Sequence, residues 1–199
     1  MHKVFVCYHH ANDQYYKEDL VRFGKTHDIF LDWSVDTGDI DDRLPDQTIR
    51  QLVRDDYLRE STVTVVLVGT ETKGRKHVDW EIYSSMFDGQ KNKKSGIIAI
   101  TLPETNCSYF QAVHAGEKEA VYPQETSWTS IDSRAEYERR YPHLPDRLID
   151  NLMKSEARVS VTNWDKLTVQ TLRFLIEAAH NDRGQCEYDL SRDMRRANA

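Results

Sequence analysis

Three short runs, Val4-Phe5-Val6-Cys7-Tyr8, Thr62-Val63-Thr64-Val65-Val66-Leu67-Val68 and Gly96-Ile97-Ile98-Ala99-Ile100-Thr101-Leu102, consist almost entirely of strand-favouring residues. Runs with so little polar alternation read as strands buried on both faces, and such strands need covering layers above and below. The intervening segments supply them. Asn12 or Asp13 can cap a helix whose apolar positions Tyr16, Leu20 and Phe23 recur at helical spacing, ending near Gly24. Ile29 to Trp33 is a further strand, and the polar, Gly-containing stretch from Ser34 to Pro45 is an exposed loop. From Asp46, the residues Ile49, Leu52, Val53 and Tyr57 make a helical stripe; Val78, Ile82, Ser85 and Met86 make another over 77–88. The resulting order, β-α-β-α-β-α-β, predicts an α/β fold with a central parallel sheet of about five strands and helices on both faces. A flavodoxin-like strand order, 2-1-3-4-5, is the natural choice.

The remainder is less regular. Pro123, Pro142 and Pro145 break up residues 104–157, which read as an irregular insertion with short helices at 134–140 and 148–153. Val159 to Thr162 supplies a short fifth strand, and Thr168 to His180 a closing amphipathic helix. The expectation is one domain over 1–182, followed by a charged tail over 183–199 that frays. The 33 acidic and 27 basic residues leave a formal charge of −6, so general attraction to nucleic acid is not expected. Cys7, Cys107 and Cys186 form no CxxC, which removes a zinc ribbon and a disulfide framework. No stretch approaches the roughly 18 apolar residues of a membrane span, and a cytoplasmic protein is expected.

In this strand order ligands bind beyond the carboxyl ends of strands one and three. That selects Cys7, Tyr8, His9 and His10 after the first strand, the 34–45 loop with Asp36, Asp39, Asp41, Asp42 and Arg43, and residues 69–81 after the third. Glu81 lies at the edge of its helix's apolar stripe, where its carboxylate can face the crevice; equally, an acid near a helix N-terminus is favoured by the macrodipole alone. His77 precedes it by one helical turn on the same side. Strand alternation sends neighbouring side chains to opposite faces, so at most one of His9 and His10 enters the pocket. Trp33 and Trp80 offer flat surfaces for a ring, although core packing is the commoner use of Trp. Arg43 is the one loop cation able to pair with phosphate. Cys7, His9, His10 and His77 have no recognised metal-ligand spacing, and no metal is expected. The motifs GxGxxG, GxxxxGK[ST], GxSxG and HExxH are absent, which leaves Rossmann, P-loop and serine-hydrolase chemistry unsupported.

Taken together, these segments resemble the TIR domain and, within it, the TIR-like proteins of bacterial Thoeris anti-phage defence. Val4-Phe5-Val6-Cys7-Tyr8-His9-His10 is similar to the family's first box, with Cys7 where Ser is usual. The 34–45 segment corresponds to the loop after strand two. His77-Val78-Asp79-Trp80-Glu81 is similar to the catalytic motif, an aromatic residue four positions before a Glu, with His77 in place of the aromatic residue. The resemblance implies a flavodoxin-like TIR fold and cleavage of the nicotinamide glycosidic bond of NAD+, with the ADP-ribose cyclised to a signalling nucleotide. Glu81 is then catalytic, and Cys7, Tyr8, His9, Asp36, Arg43, His77 and Trp80 contact substrate. It further implies no cofactor beyond NAD+ as substrate, self-association through TIR surfaces, and a partner effector that the product activates to deplete NAD+. Plain NAD+ hydrolysis and a non-catalytic assembly adaptor working through the 34–45 loop are the alternatives.

Overall fold

The apolar runs pair side by side, as strands with two buried faces must. The computed structural model describes residues 1–34, 41 and 43–199. Strands β1 (His2–Cys7), β2 (Phe30–Asp32), β3 (Val63–Val68), β4 (Gly96–Thr101) and β5 (Ser160–Asn163) form one sheet in the order β2-β1-β3-β4-β5. Every pairing is parallel, with Val4 opposite Val63 and Cys7 opposite Val66. All side chains of β3 and β4 are buried, because these strands lie inside the sheet with helices on both faces.

Alternation along β1 divides the core. Val4, Val6 and Tyr8 face the layer of α1 (His10–Thr26) and a long helix near the carboxyl end, Val169–Asp182. Phe5 and Cys7 face the layer of α2 (Asp46–Leu52) and α3 (Lys76–Met86). The long helix passes so close that a Cβ on Gly96 would lie 2.2 Å from the Ala179 carbonyl oxygen, so the first residue of β4 must lack a side chain.

Three features depart from the sequence reading. The stripe over 46–57 is not one helix: α2 ends at Leu52 and a single π-helical turn, Val53–Tyr57, follows, closed by the Leu58 amide on the Val53 carbonyl at 2.9 Å. The segment 104–157 carries α4 (Glu117–Val121), which has no clear periodic signal, besides α5 (Arg134–Arg140) and α6 (Asp146–Leu152); α7 is the long helix, Val169–Asp182. Gln111 also makes an antiparallel bridge to Val161 at the β5 edge.

The third departure corrects the expectation of a fraying tail. Residues 186–199 lie as a strap across α6 and α3. Asn151 bonds both the amide and the carbonyl of Asp189, Arg147 donates to the carbonyls of Arg192 and Asp193, and Met194 is only 3% exposed. The tail is polar in sequence because its anchors bond its backbone and its arginines pair with acids of the domain, Arg192 with Asp150 and Arg196 with Asp46.

Candidate functional site

The site is assembled at the carboxyl ends of β1 and β3. Cys7 ends β1 fully buried, its Sγ 3.8 Å from the Val78 carbonyl on α3. Val78 and Ile82 pack into the core, and this fixes the rotation of α3 so that Glu81, one residue before Ile82, meets the end of β1. Glu81 hydrogen-bonds the Cys7 thiol and is only 2% exposed. Burial first, and then the Glu81 charge, push the Cys7 thiol well above its ordinary range. A thiol held protonated in this way is no nucleophile. It serves as a neighbour to the carboxylate.

His77 lies one turn before Glu81, half-buried, with its ring edge-on to Trp80 at 4.9 Å. His9 is half-buried beside the turn after β3; burial, followed by the nearby Arg75 guanidinium, lowers its pKa. Its Nδ1 is buried with no hydrogen-bond partner among the described residues.

Other expected contacts fall elsewhere. Tyr8 points to the opposite face of the sheet, with its hydroxyl on Gln14 at 2.6 Å and its ring stacked on His10, so it does not join Cys7 and Glu81. The cause is the alternation that already separates His9 from His10. Trp80 is corrected as a ring platform: it is 0% exposed, sits in the core, and donates its indole N–H to the Arg195 carbonyl at 2.8 Å under the strap. Trp33 is half-buried on the β2 edge with the Lys3 ammonium 3.9 Å from its ring centre. The Arg43 guanidinium makes two bonds to Asp41, each 3.0 Å, and is otherwise largely exposed. Asp36, Asp39 and Asp42 lie outside the described residues.

One residue next to the crevice escaped the sequence reading. Asp13, noted only as a possible cap, is buried in the first turn of α1 and receives a hydrogen bond from the Thr72 hydroxyl at 3.2 Å. Thr72 Oγ1 in turn accepts the Gly69 amide at 2.9 Å, so one carboxyl ties the turn after β1 to the turn after β3. A Cβ at Gly69 would lie 2.6 Å from both carboxylate oxygens of Asp13, so a side chain there would displace the carboxyl. Burial, with Glu104 nearby, pushes the Asp13 carboxyl up to about 6. The readable signal was the pairing of an acid in the first turn after β1 with Gly-Thr-x-Thr after β3.

Among the described residues no group of three or more His, Cys, Asp or Glu side chains is placed to hold a metal ion, and no helix is long and apolar enough to cross a membrane. What the site offers is a buried carboxylate at the mouth of a parallel sheet, suited to stabilising positive charge.

A parallel 2-1-3-4-5 sheet with helices around it is the flavodoxin-like α/β fold of TIR domains. The chain belongs to the family described as Thoeris protein ThsB, TIR-like domain, whose model matches residues 5–107, just over half of its 199 residues. That membership ties it to Thoeris defence. The match takes in β1 to β4 with the Glu81 helix and stops before α4. Neither a curated protein nor a solved structure matches the chain.

Proposed function

We propose that this protein is a TIR-type enzyme that cleaves the nicotinamide glycosidic bond of NAD+ and cyclises the ADP-ribose that remains. The observation that carries the reading is the buried Glu81 carboxylate beside the end of β1. Nicotinamide leaves as a neutral molecule, so the leaving group needs no general acid. What develops is an oxocarbenium-like ribose, and a carboxylate in a water-poor site stabilises that positive charge far better than it would in bulk solvent. Glu81 acts through charge and hydrogen bonds to the ribose hydroxyls, with His77 one helical turn before it.

The burial of Glu81 favours cyclisation over hydrolysis. Recapture of the cation by a hydroxyl from the adenosine side requires water to be kept away from the reacting carbon, and a carboxylate 2% exposed supports that exclusion. The cyclic product then signals to a partner effector that depletes NAD+, and chains self-associate through TIR surfaces in a soluble, cytoplasmic setting.

The test is incubation with NAD+ and resolution of products by mass, using purified protein and lysate from phage-infected cells. A species of NAD+ minus nicotinamide supports cyclisation, whereas that mass plus water replaces it with the hydrolase. Glu81→Gln is expected to keep the fold and lower product by at least about a hundredfold, the scale of losing a principal electrostatic group. Undiminished product from a folded Gln variant removes Glu81 from the mechanism.

A further inference from the structure

At the opposite, amino end of the sheet a second polar feature stands apart from the crevice. The π-helical turn Val53–Tyr57 carries Arg54, which is only 2% exposed. π-helical turns are uncommon and recur at functional sites. The Arg54 guanidinium has two hydrogen bonds, both long: Nε to the Asn92 carbonyl at 3.4 Å and Nη1 to Ser95 Oγ at 3.5 Å. Ser95 in turn donates to the Ser61 carbonyl, which places the group at the amino ends of β3 and β4. No carboxylate lies within ion-pair distance of Arg54 among the described residues. Arginine is almost never this buried unless paired, because the desolvation cost is then uncompensated.

Arg54 lines a cavity of about 330 Å³ that Arg50, Phe87, Lys91 and Asn92 also line. Arg50 stacks its guanidinium on the Phe87 ring at 3.7 Å, and neither Arg50 nor Lys91 has an ion-pair partner among the described residues. Two arginines four positions apart on one helical stretch repel each other. The acids lining the cavity are already engaged: Asp55 accepts the Asn92 amide at 2.6 Å, and Asp88 faces Lys93 at 3.7 Å. Burial lowers Arg54 to about 10 against the opposing charges of Asp55 and Asp88, so it stays charged at neutral pH. Three cations and two carboxylates therefore meet around one space, with positive charge in excess.

The geometry points to an oxyanion site in this cavity, taking a phosphate group, either free or carried on a small molecule. The planar fork of Arg54 matches a tetrahedral oxyanion bidentately, and Arg50 and Lys91 supply the second and third contacts. The site is independent of the Glu81 chemistry, since it uses different strand ends and different residues.

The test is titration of the full-length protein with inorganic phosphate, against chloride at equal ionic strength, read by calorimetry and by thermal unfolding. Phosphate is expected to bind and raise Tm, and Arg54→Met to weaken binding at least tenfold. Because the loss of a buried arginine can impair folding, Arg50→Ala and Lys91→Ala provide the second arm: each is expected to weaken phosphate binding severalfold with unchanged Tm in chloride. Adenosine 5′-monophosphate is titrated in parallel. Tighter binding than phosphate, lost in the same variants, assigns a nucleotide source, and equal binding assigns the free ion; both support the site. The proposal is overturned if phosphate does no more than chloride, if Arg50→Ala and Lys91→Ala bind phosphate like the wild type, or if Glu81→Gln abolishes binding, which would place the anion in the crevice.

Discussion

Between Val4 and Leu102 the chain enters the sheet four times, and the buried strand positions are nearly all apolar. Beyond Pro103 the buried positions include Glu117, Arg147, Asn151 and Asn163. Each of these polar groups holds irregular backbone in place. One Glu117 oxygen accepts the amides of Val113 and His114 and the Ser160 hydroxyl, all within 2.9 Å. Asn163 donates to the carbonyls of Cys107 and Tyr109 at 2.8 and 3.1 Å. The first four strands rely on area removed from water, which is non-directional; the irregular backbone beyond Pro103 adds directional bonds whose loss leaves buried partners unsatisfied.

This contrast sets the order of expected mutational costs. Arg147 is fully buried, pairs with Asp79 through two bonds at 2.8 and 3.0 Å, and holds two strap carbonyls. Arg147→Met should destabilise by about 3–5 kcal/mol in urea unfolding, the scale of a broken buried ion pair. Replacing Asp79 by Leu in addition should not restore stability, because the strap carbonyls still lack a donor; recovery would show that the pair rather than the strap sets the cost. Ile98→Ala, at a fully buried position of β4, should cost about 2–4 kcal/mol through lost burial and a cavity. A larger loss for Ile98→Ala than for Arg147→Met would reverse the comparison.

Asp13 is one of several buried charged residues within the first half, and its expected effect on stability is the smallest of those considered. Its carboxyl is raised to about 6 in the folded state, so the fold binds its proton more tightly than the unfolded chain does. The contribution is therefore present at low pH and is lost as pH rises from about 4 to about 6. Relative to Asp13→Asn, the wild type should lose on the order of 2 kcal/mol across that window. Parallel denaturation curves at pH 4.5 and 7 measure the difference, and equal shifts in both proteins would mean that Asp13 is not the group titrating.

Legibility in the sequence follows the same division. Apolar runs and 3.6-residue stripes report burial directly, so Val63–Val68, Gly96–Thr101 and the strand order could be read before any coordinates. That Glu81 lies at the edge of its helix's apolar stripe and Cys7 at the end of the first strand is readable from periodicity, whereas their contact depends on how α3 docks. Trp80 was misread because an aromatic on a helix does not say what covers it, and the cover, Arg195, lies 115 positions away. The strap was invisible for the same reason. Its charged side chains look like those of a solvated tail, yet Arg192 and Arg196 pair with Asp150 and Asp46, and the rest of its anchorage uses backbone amides and carbonyls, which every sequence contains. Arg54 was passed over because a π-helical turn leaves no mark in an apolar stripe.

The strap also bears on the order in which the molecule is made. Asp79 accepts the Arg195 amide at 2.8 Å across 116 positions, and Lys76 donates its amide to Asn198. The ribosome delivers β1 to β4 long before these partners exist, so a nascent chain can collapse its apolar strands while the helix bearing Glu81 is still unmoored. The cover over Asp79 and Trp80 thus waits on translation of residues 192–198, and a chain stalled before them would hold the sheet with those two side chains still unpaired on that side.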